Sequence, residues 1–294
     1  MDMEKLQVVK ERKGFIAALD QSGGSSSKTL ALYGIPEEKY STEEEMYDLI
    51  HEMRSRVMTN KYFNEIHIMG AILFYKTMNS MINGKYTSEY LWDNKRIVSF
   101  LKVDKGLEDE QDGVKLMKEI PDLEEQLYEA RDHGVFGTKM RSVIYNYNEE
   151  GIKKIVDQQF EFAKRICDKG LVPIIEPEVD INSPDKDKIE HYMHDVIKDK
   201  LKDWNEKDLR MFKFTIPTQD NLYLDLYDYK VVVRIVALSG GYPLDEACEK
   251  LSHNDRMIAS FSRALLEKLR VNQTEEEFGN TLNDAIMKIY NASI

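Results

Sequence analysis

Short apolar runs ending in polar residues recur along the chain. The first is Gly14-Phe15-Ile16-Ala17-Ala18-Leu19-Asp20, followed by Ala71–Phe74, Val98–Asp104 and Gly134–Arg141. Four more lie at Leu171–Glu176, Met211–Ile216, Val232–Ser239 and Met257–Phe261. Runs this short and this apolar predict strands buried on both faces. Between several of them the spacing becomes helical. Ile152, Ile155, Val156, Phe160, Ala163 and Ile166 mark one face of a helix that Asn148 opens as N-cap. A second helix is expected from Ser41, with Glu44 completing a capping box and Met46, Leu49, Ile50 and Met53 on one stripe.

Eight strands separated by helices predict an α/β fold, the (β/α)8 TIM barrel, with residues 1–294 forming one domain. In that fold the chemistry gathers at the C-terminal ends of the strands. The polar residues there are Asp20, Lys102, Lys139 with Arg141, Glu176 with Glu178, Lys213, Ser239 with Gly240 and Gly241, and Ser262 with Arg263. Strand lysines are the unusual part. Any one of them, turned outward or snorkelling at a barrel end, would need no function. Lys102, Lys139 and Lys213 on three strands instead imply an anionic ligand, a lysine nucleophile, or both, because like charges converging without purpose are costly. Inside the barrel, Lys213 would be desolvated, which favours the nucleophilic amine over the ammonium.

Composition narrows the classes. Hydrophobic residues make up 42% and charged residues 32%, which suits a soluble globule with a sizeable core. Fifty-three acidic against 41 basic residues give a net charge of −12, which opposes encounter with nucleic acid or anionic membranes. Positive charge is needed only where a phosphate docks. Cys167 and Cys248 follow neither disulfide-framework nor metal-ligand spacing, the start lacks a signal peptide's pattern, and no run approaches the roughly 18 apolar residues of a membrane span. A cytoplasmic location is the expectation. His191 and His194 lack a third ligand for zinc and read as an exposed polar helix face, and Glu108–Asp112 reads as a solvated acidic loop.

Ordered motifs along nearly the whole chain add to this reading. Ala17-Ala18-Leu19-Asp20-Gln21-Ser22-Gly23-Gly24-Ser25, Ile72-Leu73-Phe74, Lys102-Val103-Asp104-Lys105-Gly106 and Lys139-Met140-Arg141 come first. Val172-Pro173-Ile174-Ile175-Glu176-Pro177-Glu178, Leu238-Ser239-Gly240-Gly241 and Ser260-Phe261-Ser262-Arg263-Ala264-Leu265 follow. Together they resemble the class I fructose-bisphosphate aldolases. Gln21 and Gly23 stand where the animal enzymes have glutamate and threonine. Phe212-Lys213-Phe214-Thr215-Ile216-Pro217 lacks their lysine-proline-asparagine sequence, so Lys213 is assigned by position. The end, Tyr290-Asn291-Ala292-Ser293-Ile294, lacks their C-terminal tyrosine, so Tyr290 inherits no role over the site. These departures point to a bacterial-type branch.

The resemblance implies cleavage of fructose 1,6-bisphosphate between C3 and C4, with a protonated imine on Lys213 as the electron sink and neither metal nor other cofactor. Lys139 would favour the neutral Lys213 amine, and Glu176 would move protons as the carbinolamine loses water. Glu178, two residues on, would either share proton chemistry with Glu176 or orient Lys139. Asp20 would take the C4 hydroxyl proton; its alternative is to cap the Ser22-Gly23-Gly24 turn. Ser239, Gly240, Gly241, Ser262 and Arg263 would hold one phosphate, and Ser22, Ser25 and Lys102 are candidates for the second, with Lys102 alternatively on substrate hydroxyls. Arg141 belongs to the same substrate-binding set. The partner implied is a phosphorylated sugar, and monomer and homo-oligomer both stay open. The competing readings are a transaldolase-like Schiff-base enzyme and a barrel kept only for binding or scaffolding.

Overall fold

The computed structural model describes residues 2–294, and all eight apolar runs are strands in it. They are β1 Phe15–Leu19, β2 Ile68–Leu73, β3 Val98–Lys102, β4 Gly137–Ile144, β5 Val172–Val179, β6 Arg210–Thr215, β7 Val232–Leu238 and β8 Met257–Ala259. Neighbours in sequence pair in parallel throughout, and β8 comes back beside β1 without a hydrogen-bonded ladder between them. The result is a nearly closed (β/α)8 barrel. Some expected boundaries move: β4 and β5 run three residues beyond Arg141 and Glu176, to Ile144 and Val179, and β8 stops at Ala259 rather than Phe261.

Alternation along the strands divides the core in two. Ile16, Ala18, Ile72, Phe100, Ile174, Met211, Val236 and Ile258 fill the barrel interior, and Leu6 and Val9 of α1 (Met3–Glu11) pack against that cluster. Phe15, Leu19, Leu73, Leu101, Ile175, Phe212 and Phe214 face the surrounding helices. With a period of two, the residue two beyond each interior apolar residue shares its face. That rule turns Asp20 after Ala18, Lys102 after Phe100, Glu176 after Ile174, Lys213 after Met211 and Ser260 after Ile258 toward the interior. Gly137 keeps the interior open below Lys139, since a Cβ there would lie 2.2 Å from the Val172 carbonyl oxygen and 2.9 Å from the Phe100 ring.

The helices start mostly where expected. Labelled in order after α1, those needed here are α2 Gly24–Tyr33, α3 Glu43–Thr59, α4 Glu149–Asp168 and α5 Lys186–Lys202. Asn148 caps α4 by accepting from the Gly151 amide at 2.9 Å. For α3 the capping box sits one residue later than the Ser41/Glu44 expectation: Thr42 accepts from Glu45 N, and Glu45 reaches back to the Thr42 amide. Both registers exist in Ser41-Thr42-Glu43-Glu44-Glu45, and the later one forms, with Met46, Ile50 and Met53 buried along the expected stripe. The acidic run is exposed as expected but structured, forming the tip of a hairpin stitched by Leu107 to Met117 and Gln111 to Val114. His194 departs from the exposed-face expectation, being buried and bonded to Asp225 at 2.6 Å. His191 does lie on the exposed side of α5, with its side chain 44% accessible.

Candidate active site

A cavity of about 1090 Å³ opens at the C-terminal end of the barrel and is lined by every one of the fourteen sequence-predicted site residues. On its floor the charged groups are paired. Lys139 Nζ lies 2.7 Å from Asp20 Oδ2 and 3.0 Å from Glu176 Oε2, while Lys213 Nζ lies 3.1 Å from Glu176 Oε1. Glu176 therefore bridges the two lysines. All four side chains are less than 10% accessible, so water screens these contacts poorly.

Burial and charge oppose each other here. Burial alone would raise the Asp20 carboxyl, but Lys139, Lys213 and Lys102 overcome it and hold the group well below the usual carboxylate range. Burial alone would lower Lys139, but Asp20, Glu176 and Asp104 hold it above its ordinary value of 10.5. Lys139 is thus a fixed ammonium and Asp20 a fixed carboxylate. Neither the turn-capping reading of Asp20 nor a free patch of lysine charge survives this geometry: α2 takes no side-chain cap, and each strand lysine has a carboxylate partner.

Glu178 does not orient Lys139. It accepts from Arg141 Nε at 2.6 Å, one step farther toward the rim. In the parallel register Lys139 stands beside Ile174 and Arg141 beside Glu176, so each cation meets the carboxylate two residues farther along β5, Glu176 for Lys139 and Glu178 for Arg141. Lys102 turns to Asp104, 2.8 Å from both its Oδ1 and its main-chain oxygen.

Strands β5 and β6 pair only through Ile174–Met211 and Ile175–Phe212, then part at the level of Glu176 and Lys213. Side chains satisfy the freed backbone. The fully buried Gln159 amide of α4 accepts from Glu176 N and donates to Glu176 O, both at 2.9 Å, and donates to Ser142 Oγ at 2.7 Å. Thr215 Oγ1 closes the gap above, accepting from Val179 N at 2.9 Å and donating to Val179 O at 2.7 Å. This widened stretch gives both functional side chains room to face inward without orphaning buried amides.

The rim carries the remaining candidates. Ser239 is buried at the end of β7, and Gly240 and Gly241 follow with φ of 62° and 115°. A Cβ on Gly240 would approach Ile181 Cγ2 to 2.6 Å, so both conformation and space require glycine there. Ser22 and Ser25 bond to each other, Ser25 Oγ donating to Ser22 O at 2.8 Å and accepting from Ser22 N at 2.9 Å. Arg263 is exposed at the mouth and, among the described residues, takes part in no ion pair.

Sequence reasoning missed several lining residues. Ser260 is fully buried in the cavity wall with its hydroxyl unpartnered. The expected strand ran to Phe261 and drew attention to Ser262, whereas β8 ends at Ala259 and makes Ser260 the first rim residue. Lys28 of α2 adds a second cation at the mouth. Asp104 was visible two residues beyond Lys102, but nothing in the sequence marked it as that lysine's partner. Tyr290 packs edge-on against His67 and does not line the cavity.

Residues 3–210 match the family described as fructose-bisphosphate aldolase class-I, a segment ending three residues before Lys213. Over its full 294 residues the chain is 54% identical to the whole fructose-bisphosphate aldolase class 1 of Clostridium acetobutylicum. Its fold is similar to that of the fructose-bisphosphate aldolase from Plasmodium falciparum, solved in complex with TRAP and a small molecule inhibitor. That likeness has a TM-score of 0.75 at 19% identity and covers 99% of this chain and 93% of the other.

Proposed function

The chain belongs to the class I fructose-bisphosphate aldolase family, and we propose that Lys213 is the lysine through which it works. It is a carbon-carbon lyase that reversibly cleaves fructose 1,6-bisphosphate to dihydroxyacetone phosphate and glyceraldehyde 3-phosphate by way of a Schiff base, a step of glycolysis. The observation that carries the residue assignment is Glu176, held between Lys213 and the permanently charged Lys139 inside the barrel.

In this reading Glu176 takes a proton from Lys213, freeing the amine to attack C2, and gives it back to the departing carbinolamine oxygen as water leaves. The C3–C4 bonding pair then flows into the protonated imine to leave an enamine. Asp20, strongly acidified by its lysines, is a weak base at rest. It orients the C4 hydroxyl and takes its proton as the bond breaks, when the forming aldehyde makes that proton most acidic. Protonation of the enamine at C3 and hydrolysis of the imine return Lys213.

Arg263, Ser239, Gly240, Gly241, Ser262 and the buried Ser260 hydroxyl suit one phosphate, and Ser22, Ser25 and Lys28 the other. Lys102 and Arg141, tied to Asp104 and Glu178, suit substrate hydroxyls between them. The mechanism calls on no metal, and activity undiminished in chelator would bear that out. Strands drawn from residues 15–259 into one barrel support the whole chain acting as one domain. Among the described residues no helix is long and apolar enough to cross a membrane, and with the family's glycolytic role this supports a cytoplasmic location.

Borohydride trapping with dihydroxyacetone phosphate, followed by peptide mapping, tests the reading. An adduct on Lys213 is expected; an adduct elsewhere, or none, overturns it.

A further inference from the structure

The seam between β1 and β8 lacks a backbone ladder, and one side-chain chain crosses it at the catalytic rim. Arg54, fully buried on α3, donates from Nη2 to the Gln21 main-chain oxygen at 2.7 Å and to Gln21 Oε1 at 3.0 Å. Its Nη1 donates to Thr77 Oγ1 at 2.6 Å. The other end of the Gln21 amide donates from Nε2 to Ala18 O at 3.3 Å and, across the seam, to Ser262 Oγ.

The polarity of this chain is forced. A guanidinium has only donors, so the amide must turn its oxygen to Arg54 and its NH2 to Ser262. Ser262 Oγ is thereby an acceptor, and among the described residues no acceptor takes its own proton. That O–H is left to donate into the cavity beside Arg263 and Ser260. An anionic oxygen is the complement of such a donor.

We propose that Gln21 is a positioning residue: held by Arg54, it fixes Ser262 as a hydroxyl donor to a substrate phosphate. Asp20 immediately precedes Gln21, so the same strap ties the carboxylate strand to the phosphate strand across the open seam. A glutamate at position 21 would reverse the arrangement, accepting the Ser262 proton and placing negative charge near the phosphate. The inference rests on the aldolase reading for the identity of the anion.

The test measures KM and kcat for fructose 1,6-bisphosphate and competitive inhibition by inorganic phosphate, in wild type, Gln21→Met, Ser262→Ala and the double variant. Each single change is expected to weaken phosphate inhibition and raise KM by about tenfold, the loss of one charge-assisted hydrogen bond, with little change in kcat. The double variant is expected to be no worse than Ser262→Ala. Independent, multiplying losses, or unchanged phosphate inhibition in the single variants, would overturn the proposal. Gln21→Glu preserves shape should the methionine variant fold poorly. Its weakening relative to wild type should shrink as pH falls and the glutamate regains a donor proton; a pH-independent deficit counts against the strap. Borohydride trapping of the wild type separates the two ideas, since a trapped Lys213 with no coupling sinks only the strap.

Discussion

Lys213 Nζ and Glu176 Oε1 face each other at 3.1 Å where β5 and β6 have ceased to pair, with both side chains no more than 5% accessible. A carboxylate so placed reaches the nitrogen and the oxygen leaving the adjacent carbon with little movement. Glu176→Gln keeps shape and hydrogen bonding but removes the exchangeable proton. Turnover should fall about 10²–10⁴-fold, the usual contribution of a positioned general acid-base group. Rapid-quench borohydride trapping should place the loss in imine formation; unimpaired trapping would reassign the proton carrier.

Glu178 offers a contrast on the same face of the same strand. Because it bonds Arg141 rather than either lysine, Glu178→Gln should leave the rate of imine trapping within about threefold of wild type while raising KM, as expected for lost uniform binding. A collapse of trapping equal to that of Glu176→Gln would mean that Glu178 shares the proton chemistry.

The Asp20–Lys139 pair should appear in the pH dependence of stability. A carboxyl depressed in the folded state stabilises above its ordinary value of 3.8, and that contribution is lost as pH falls through the folded value. Lys139, raised above 10.5, contributes below that value and loses its contribution only as pH rises through the still higher folded one. The stability gap between wild type and Asp20→Asn should therefore be full across neutral pH, about 3 kcal/mol for breaking a buried pair, and narrow below about pH 4. Urea denaturation at several pH values measures it. A gap unchanged at pH 3 would contradict the depressed carboxyl.

Gln159 supports the site without entering it. Replacing it by leucine keeps bulk but orphans the Glu176 amide and carbonyl and takes a donor away from Ser142 Oγ. At about 1–3 kcal/mol for each unsatisfied buried group, partly relieved by relaxation, Gln159→Leu should cost about 2–4 kcal/mol in urea denaturation. A neutral result would show that β5 repairs the gap itself.

The strands were legible because a barrel strand buried on both faces leaves an apolar run that few other structures leave, and alternation then fixed which polar residues point inward. Asp20, Lys102, Glu176 and Lys213 could be placed by counting two from Ala18, Phe100, Ile174 and Met211. Partnership was harder. Whether Glu178 meets Lys139 or Arg141 depends on the stagger between β4 and β5, and stagger leaves no mark on either strand alone. Arg54 and Gln159 lie on helices and carry no local sign of function, because the backbone they satisfy belongs to segments brought close only by folding. Ser260 was lost to a two-residue difference in where β8 ends.

Lys213→Met isolates the nucleophile. Methionine retains most of the buried stem, so packing should be nearly preserved. The change also removes one of the two partners of Glu176, but Lys139 still pairs with that carboxylate at 3.0 Å, so no buried anion is left without a partner. The fold should persist, with a midpoint in urea close to that of wild type. Turnover should fall by at least about four orders of magnitude, because no remaining side chain supplies a covalent electron sink at C2. Residual trapping on Lys139, displaced toward the empty position, is the one outcome that would preserve some activity, and its permanent charge argues against it. Wild-type turnover in this variant would mean that the imine forms elsewhere.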